Sequence, residues 1–176
     1  MTERILPKTI SHKEFLEIIK NIKYKSSIKE RKMKSAFCMG FYQAMRISEV
    51  LKLDLKDIDK ERGYIHLLQA KGKKDRDVPI QKPVWKFLKY FPLGKGFSRR
   101  TLQREIEKWG RKVLDKKLTF HMLRHSGATF YSTSGMDMRH LQALLGHSRV
   151  STTEIYTHIT PSALKSITDK LWEGLE

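Results

Sequence analysis

Apolar residues recur at helical spacing through most of this 176-residue chain, and the pattern is interrupted between residues 63 and 80. That interruption constrains the fold more than any other feature. Residues 11–22 (SHKEFLEIIKNI) place Phe15, Ile18, Ile19 and Ile22 on one helix face, and Ser11 with Glu14 three residues on has the form of a capping box. The helical pattern continues over 30–53, weakened at Gly40, since a glycine inside a helix costs about 1 kcal/mol relative to alanine. GYIHLLQ (63–69) and RDVPI (76–80) then favour strands, and the AKGKKD between them suits a hairpin loop. Helices are expected again over 83–91, 99–114, 120–134, 137–145, 152–157 and 161–174. Gly146 reads as a helix stop, Ser151 and Glu154 as a second capping box, and Thr160-Pro161 as a cap with proline at the first helical position. The expectation is one domain, mostly α with a small antiparallel β-sheet (an α+β fold).

Charge narrows the partner. Lys and Arg number 36 against 19 Asp and Glu, a formal net charge of +17. Such a surplus on one small domain suggests a polyanion, with nucleic acid first and an anionic membrane surface second. No run approaches the roughly 18 apolar residues of a membrane span, and MTERILPKTI lacks the apolar core of a signal peptide. Cys38 is the sole cysteine, which excludes an intrachain disulfide and a Cys-based zinc site. Its setting in AFCMGF reads as a buried thiol, consistent with a reducing, cytoplasmic compartment.

Several chemistries fail on spacing. No GxxxxGK[ST] phosphate loop is present. His121 and His125 are four apart, as zinc-binding pairs are, but Met122 stands where a zinc protease needs its Glu. Asp54, Asp57 and Asp59 could hold Mg²⁺, yet LDLKDID reads better as a helix exit into a strand. The residues that remain are Arg46 and Glu49 in MRISEV, Lys71 in AKGKKDR, His121 and Arg124 in FHMLRHS, His147 after Gly146, and Tyr156 in TEIYTHI.

Singly, each of these has an ordinary reading: a surface ion pair, a solvated loop lysine, a helix-capping histidine, a half-buried tyrosine. Together they fit the cleavage of a phosphodiester without a metal. Two guanidiniums can grip the non-bridging oxygens with paired hydrogen bonds, and preorganised charge of this kind is usually the largest catalytic contribution. A tyrosine hydroxyl can attack phosphorus and form a covalent intermediate. A lysine can protonate the leaving oxygen, and histidines can move protons or donate to the phosphate. Lys73 and Lys74 stand close enough to Lys71 that the loop chemistry alone does not separate them.

MRISEV, AKGKKDRDVPI, HMLRHSGATF and LLGHSRVSTTEIYTHI, in this order, resemble the catalytic domain of the tyrosine recombinases, in the Xer-type and phage-integrase branch. The resemblance runs from about Pro7 to the chain end. It implies the tyrosine-recombinase catalytic-domain fold and metal-independent strand cleavage and rejoining through a 3′-phosphotyrosyl link, with no cofactor. It implies Arg46 and Arg124 as the catalytic arginines, Lys71 as general acid, His121 and His147 as the histidines of the H-x-x-R and L-G-H motifs, and Tyr156 as nucleophile. Glu49 would support the first arginine, and His125 would be structural. Tyr131, near the H-x-x-R motif, is the next nucleophile candidate should Tyr156 fail. The partners implied are double-stranded DNA and other recombinase protomers, as a tetramer on DNA and a monomer or weak oligomer in solution, with no membrane and a cytoplasmic, DNA-associated setting.

Two departures stand out. The family often has glycine two residues before the first arginine, where this chain has Ala44. The usual N-terminal helical domain is not expected within residues 1–176, which would form a single catalytic domain with a core over about 7–160. Residues 161–176 form a helix with Leu164, Ile167 and Leu171 on one stripe. That stripe either packs on its own domain or, by the resemblance, docks onto a neighbouring protomer. The rival readings are a type IB topoisomerase-like enzyme, an inactive DNA-binding module, and a basic protein bound to RNA or membrane.

Overall fold

Helix α1 (His12–Asn21) begins as its sequence directs: the Ser11 hydroxyl accepts the Glu14 amide and the Glu14 carboxylate accepts the Ser11 amide at 2.8 Å. Phe15 and Ile18 on its inner face are fully buried. The structure, a computed structural model, describes residues 9–68, 75–146 and 160–173. Helix α2 (Ser27–Phe41) runs through the core, with Met33, Ala36, Phe37, Met39 and Phe41 all fully buried. Cys38 is buried there as expected, and burial pushes its thiol pKa up.

The helix expected over 30–53 is two helices. Helix α2 ends at Phe41, and α3 (Ile47–Lys52) starts afresh after a turn in which Ala44 has φ 47°, in the left-handed region. The cause is tertiary. Helix α5 (Phe120–Thr133) lays one face, Arg124, Gly127 and Tyr131, across the end of α2. Its Tyr131 hydroxyl donates to the Tyr42 carbonyl at 2.6 Å, and Arg124 Nη1 donates to the Ala44 carbonyl. Gly127 permits the approach, because a Cβ there would lie 1.9 Å from the Phe41 carbonyl oxygen. Gly40 serves the same contact from the α2 side, where a Cβ would meet the Phe120 ring at 2.9 Å.

The interruption in the helical pattern is a three-stranded antiparallel sheet in the order β1 (Ile58–Asp59), β2 (Tyr64–Leu67), β3 (Arg76–Pro79). The expected hairpin is β2–β3, with Ile65 opposite Val78 and Leu67 opposite Arg76. Strand β1 is the last two residues of LDLKDID, the stretch expected to lead from a helix into a strand. The acidic LDLKDID is structural, as expected. Asp54 accepts the Leu55 amide, Asp57 accepts the Asp54 amide, and Asp59 accepts the Arg62 amide. Among the described residues no group of three or more His, Cys, Asp or Glu side chains could hold a metal ion.

Lys82–Tyr90 forms a 3₁₀-helix rather than the α-helix expected over 83–91. Buried Val84 and Leu88 fit either pitch over so short a stretch. Helix α4 (Arg99–Leu114) is capped by the Ser98 hydroxyl at the Thr101 amide, 3.1 Å. Helix α6 (Met138–Leu145) is capped by Asp137 and stopped by Gly146 at φ 64°. Helix α7 (Pro161–Glu173) packs against its own chain. Its buried side is Leu164, Thr168 and Trp172, one position round from the expected stripe, with Ile167 and Leu171 half-buried beside it. Trp172 Nε1 donates to Gln81 Oε1 at 2.8 Å, and its ring meets Tyr42, Phe130 and Tyr131. The helix expected over 152–157 and its Ser151–Glu154 box lie outside the described residues.

Candidate active site

Arg46 is the residue before α3, extended at φ −72° and ψ 151°. Its main-chain N–H donates to Glu49 Oε2 at 2.7 Å and its guanidinium Nη1 donates to Glu49 Oε1 at 2.9 Å. One carboxylate therefore fixes both the backbone and the head of Arg46. A second arginine shares it: Arg76 Nη1 lies 3.1 Å from Glu49 Oε1 and Arg76 Nη2 3.4 Å from Oε2. Burial raises the Glu49 pKa, but the Arg76 charge, the Arg46 amide and the Arg46 charge outweigh it, so the carboxyl sits below its ordinary value.

Arg124 is 4% exposed, in the middle of α5. Besides the Ala44 carbonyl, it reaches the Leu145 carbonyl near the end of α6 from Nη2 at 2.7 Å. Its guanidinium thus ties the α2–α3 turn to α6. Burial, and then the neighbouring charge of Arg46, bring its pKa down to about 10, so it remains a cation at neutral pH. The charges of Arg46 and Arg76 both act on Arg124, and Glu49 alone opposes them among the groups acting on it.

Arg46 and Arg124 open onto a cleft of about 500 Å³ that Ser48, Arg99, Gln103 and His121 also line. His121 and His125, one helical turn apart on α5, share a hydrogen bond between their Nε2 atoms at 2.7 Å. Burial, then the charges of His125, Arg124 and Arg46, lower the His121 pKa, which favours the neutral ring near pH 7. A cleft lined by fixed cations and a neutral histidine suits an anion with two or more oxygens to share, such as a phosphodiester.

The structure thus brings together Arg46, Glu49, His121, Arg124 and His125. Lys71, His147 and Tyr156 lie outside the described residues. Tyr131, the reserve nucleophile, is fully buried, with its hydroxyl donated to the Tyr42 carbonyl and its pKa raised by burial, so it cannot attack a substrate. Sequence reasoning missed Arg76, Arg99 and Gln103. Arg99 and Gln103 are one turn apart at the start of α4, a spacing that could have marked them as one face.

A helical domain built round this arginine cleft defines a class. The profile of the Phage integrase family matches residues 8–163, and the chain belongs to that family, whose relatives here carry the name tyrosine recombinase. Tyrosine recombinase XerA of Pyrococcus furiosus is 32% identical over 184 residues, covering 95% of this chain and 63% of that protein. Tyrosine recombinase XerC of Proteus mirabilis is 31% identical, covering 94% of this chain and 59% of that protein. The crystal structure of XerA recombinase matches with a TM-score of 0.68 at 30% identity, over 93% of this chain and 63% of that one. The integrase from mycobacterium phage Brujita has a TM-score of 0.74 at 19% identity, a likeness of fold. The chain spans less than two thirds of the curated relatives it matches.

Proposed function

We propose that this chain cuts and rejoins duplex DNA by transesterification, as the catalytic domain of a site-specific recombinase. The observation that carries this reading is the convergence of Arg46, Arg124 and His121 on one cleft, in a chain of the tyrosine recombinase family. Arg46 and Arg124 hold the non-bridging oxygens of the scissile phosphate and stabilise the charge that builds on them. His121 donates a hydrogen bond to the same phosphate, and His147 supports it. The Tyr156 oxygen attacks phosphorus as its hydroxyl proton is lost to water, forming a tyrosyl–phosphate bond to the 3′ side. The bond from phosphorus to the 5′ oxygen breaks, and Lys71 gives its proton to that oxygen. Reversal by a different 5′-hydroxyl joins the strands, so the phosphodiester energy is retained in the intermediate.

The charge supports a DNA partner. Arg100, Arg104, Lys108 and Lys112 recur every fourth residue as exposed cations along α4, the helix whose Arg99 and Gln103 line the cleft. The recombinase names of the relatives favour recombination over a topoisomerase-like swivel or an inactive module. Strand exchange needs several active sites, so the partners are further protomers, assembling as a tetramer on DNA. Exchange of α7 between protomers would first have to release Trp172 from its socket. A DNA substrate supports a cytoplasmic setting.

The test uses a nicked suicide duplex that traps the covalent intermediate. The wild type is expected to give a protein–DNA adduct on denaturing gels, in EDTA as in Mg²⁺, and Tyr156→Phe is expected to bind the duplex and give none. An adduct from the Phe variant would refute the nucleophile, and a strict Mg²⁺ requirement would refute metal-independent chemistry.

A further inference from the structure

Arg76 occupies a position that joins three parts of the site. It is the first residue of β3 and pairs with Leu67, the last residue of β2, so it closes the ladder at the loop end of the hairpin whose loop carries Lys71. Its guanidinium shares the Glu49 carboxylate with Arg46. Its other flank lies against Gly146, where a Cβ would come within 2.7 Å of Arg76 Cζ and Nε. Gly146 is the residue from which the chain runs on to His147 and Tyr156.

The arrangement is tight. The side chains of Arg76 and Glu49 are 12% and 10% exposed, against 31% for Arg46. Arg76 Nε is buried with no hydrogen-bond partner among the described residues. An arginine held at that cost, and not among the residues that line the cleft with Arg46 and Arg124, is placed to orient another group rather than to bind substrate. Without Arg76, Glu49 would have one guanidinium to hold instead of the two that share its Oε1, and the Arg46 head could swing with its carboxylate.

We propose that Arg76 is a positioning residue, acting through Glu49, that locks Arg46 in its phosphate-binding pose and ties it to the loop end of the Lys71 hairpin. The proposal rests on the DNA-cleaving reading above. Lysine cannot replace the residue, because an ammonium offers no planar fork to span both carboxylate oxygens.

The experiment is a double-mutant cycle on the full chain, comparing wild type, Arg76→Lys, Glu49→Gln and the double variant. Single-turnover cleavage of the suicide duplex is measured at saturating DNA, with DNA affinity and thermal melting measured on the same samples. Arg76→Lys is expected to slow cleavage about 10- to 100-fold, the scale of a misplaced reacting group, with DNA affinity and melting nearly unchanged. In the Glu49→Gln background the same change is expected to alter the rate less than about twofold, because the route through the carboxylate is already lost. Equal effects in both backgrounds, or no effect in either, would overturn the proposal.

A second readout needs no cleavage. The Arg46 guanidinium N–H signals of the free protein, followed by ¹⁵N NMR, are expected to be protected from exchange in wild type and to lose protection in Arg76→Lys. Unchanged protection would overturn the lock, even if the wild type formed no adduct and the cleavage reading itself failed.

Discussion

Arg124 and Arg46 present the same group to the same cleft and are held in opposite ways. Arg124 comes from a helix interior, is 4% exposed, and spends its donors on two main-chain carbonyls, those of Ala44 and Leu145. Arg46 comes from an irregular turn, keeps a side chain 31% exposed, and is held by a carboxylate that also serves Arg76. Carbonyls do not titrate, and these two belong to separate segments, so Arg124 is a rivet of the fold as well as a cation. Arg46 is held by charge, and its anchor responds to pH and to substitution. One guanidinium is built into the architecture and the other is adjusted by a neighbour.

The sharpest way to break this comparison is to remove each arginine in turn. Either Arg124→Ala or Arg46→Ala is expected to slow cleavage by at least about 10²-fold, the scale of losing one oxyanion donor. Their stabilities should differ. Arg124→Ala leaves two buried carbonyls without donors, at about 1–3 kcal/mol each, whereas Arg46→Ala leaves Glu49 paired with Arg76 and is expected to cost under about 1 kcal/mol. Denaturant melts measure this directly, and equal losses would dissolve the distinction.

A smaller effect separates the anchors by pH. Glu49 has a folded pKa below its ordinary value, so its contribution to stability is complete above the ordinary carboxylate range. That contribution fades as the pH falls through the lowered folded value. Thermal melts of wild type and Glu49→Gln are expected to differ most at neutral pH and to converge in acid. A difference that persists unchanged in acid would mean that the Glu49 charge does not hold Arg46.

The smallest effect concerns the turn itself. Ala44 at φ 47° is strained by about 1–2 kcal/mol, and Ala44→Gly would relieve that while forfeiting a fully buried methyl worth about 0.8 kcal/mol. The variant is expected to melt at or slightly above the wild-type temperature. A loss beyond about 2 kcal/mol would show that methyl packing, not backbone strain, governs the turn.

The α2–α3 turn also marks where sequence reading runs out. Helical periodicity continues from 30 to 53 because Met33, Phe37 and Phe41 and then Val50 and Leu53 all face the core, and periodicity cannot register a break whose cause lies some 80 residues away on α5. The pitch of Lys82–Tyr90 escaped for a plainer reason, since the segment is too short to separate one helical period from another. Arg76 and Arg99 were hidden among many cations, where residue type alone carries no signal in so basic a chain.

What the sequence determined by itself was local or combinatorial. The α1 capping box, the β2–β3 hairpin, the Gly146 stop and the order of Arg46, His121 and Arg124 in their motifs follow from near neighbours and spacing, and these sufficed for the α+β class and the family. The tertiary structure decided which arginine is buried, which carbonyls it holds, and that one carboxylate is shared by Arg46 and Arg76. Those outcomes depend on the distance of approach between α2 and α5, set by Gly127 against Phe41, and on where the loop end of the hairpin meets the end of α6. Hydrogen bonds and ion pairs fall off within a few ångströms, so only the packed chain could fix which of its many charges act together.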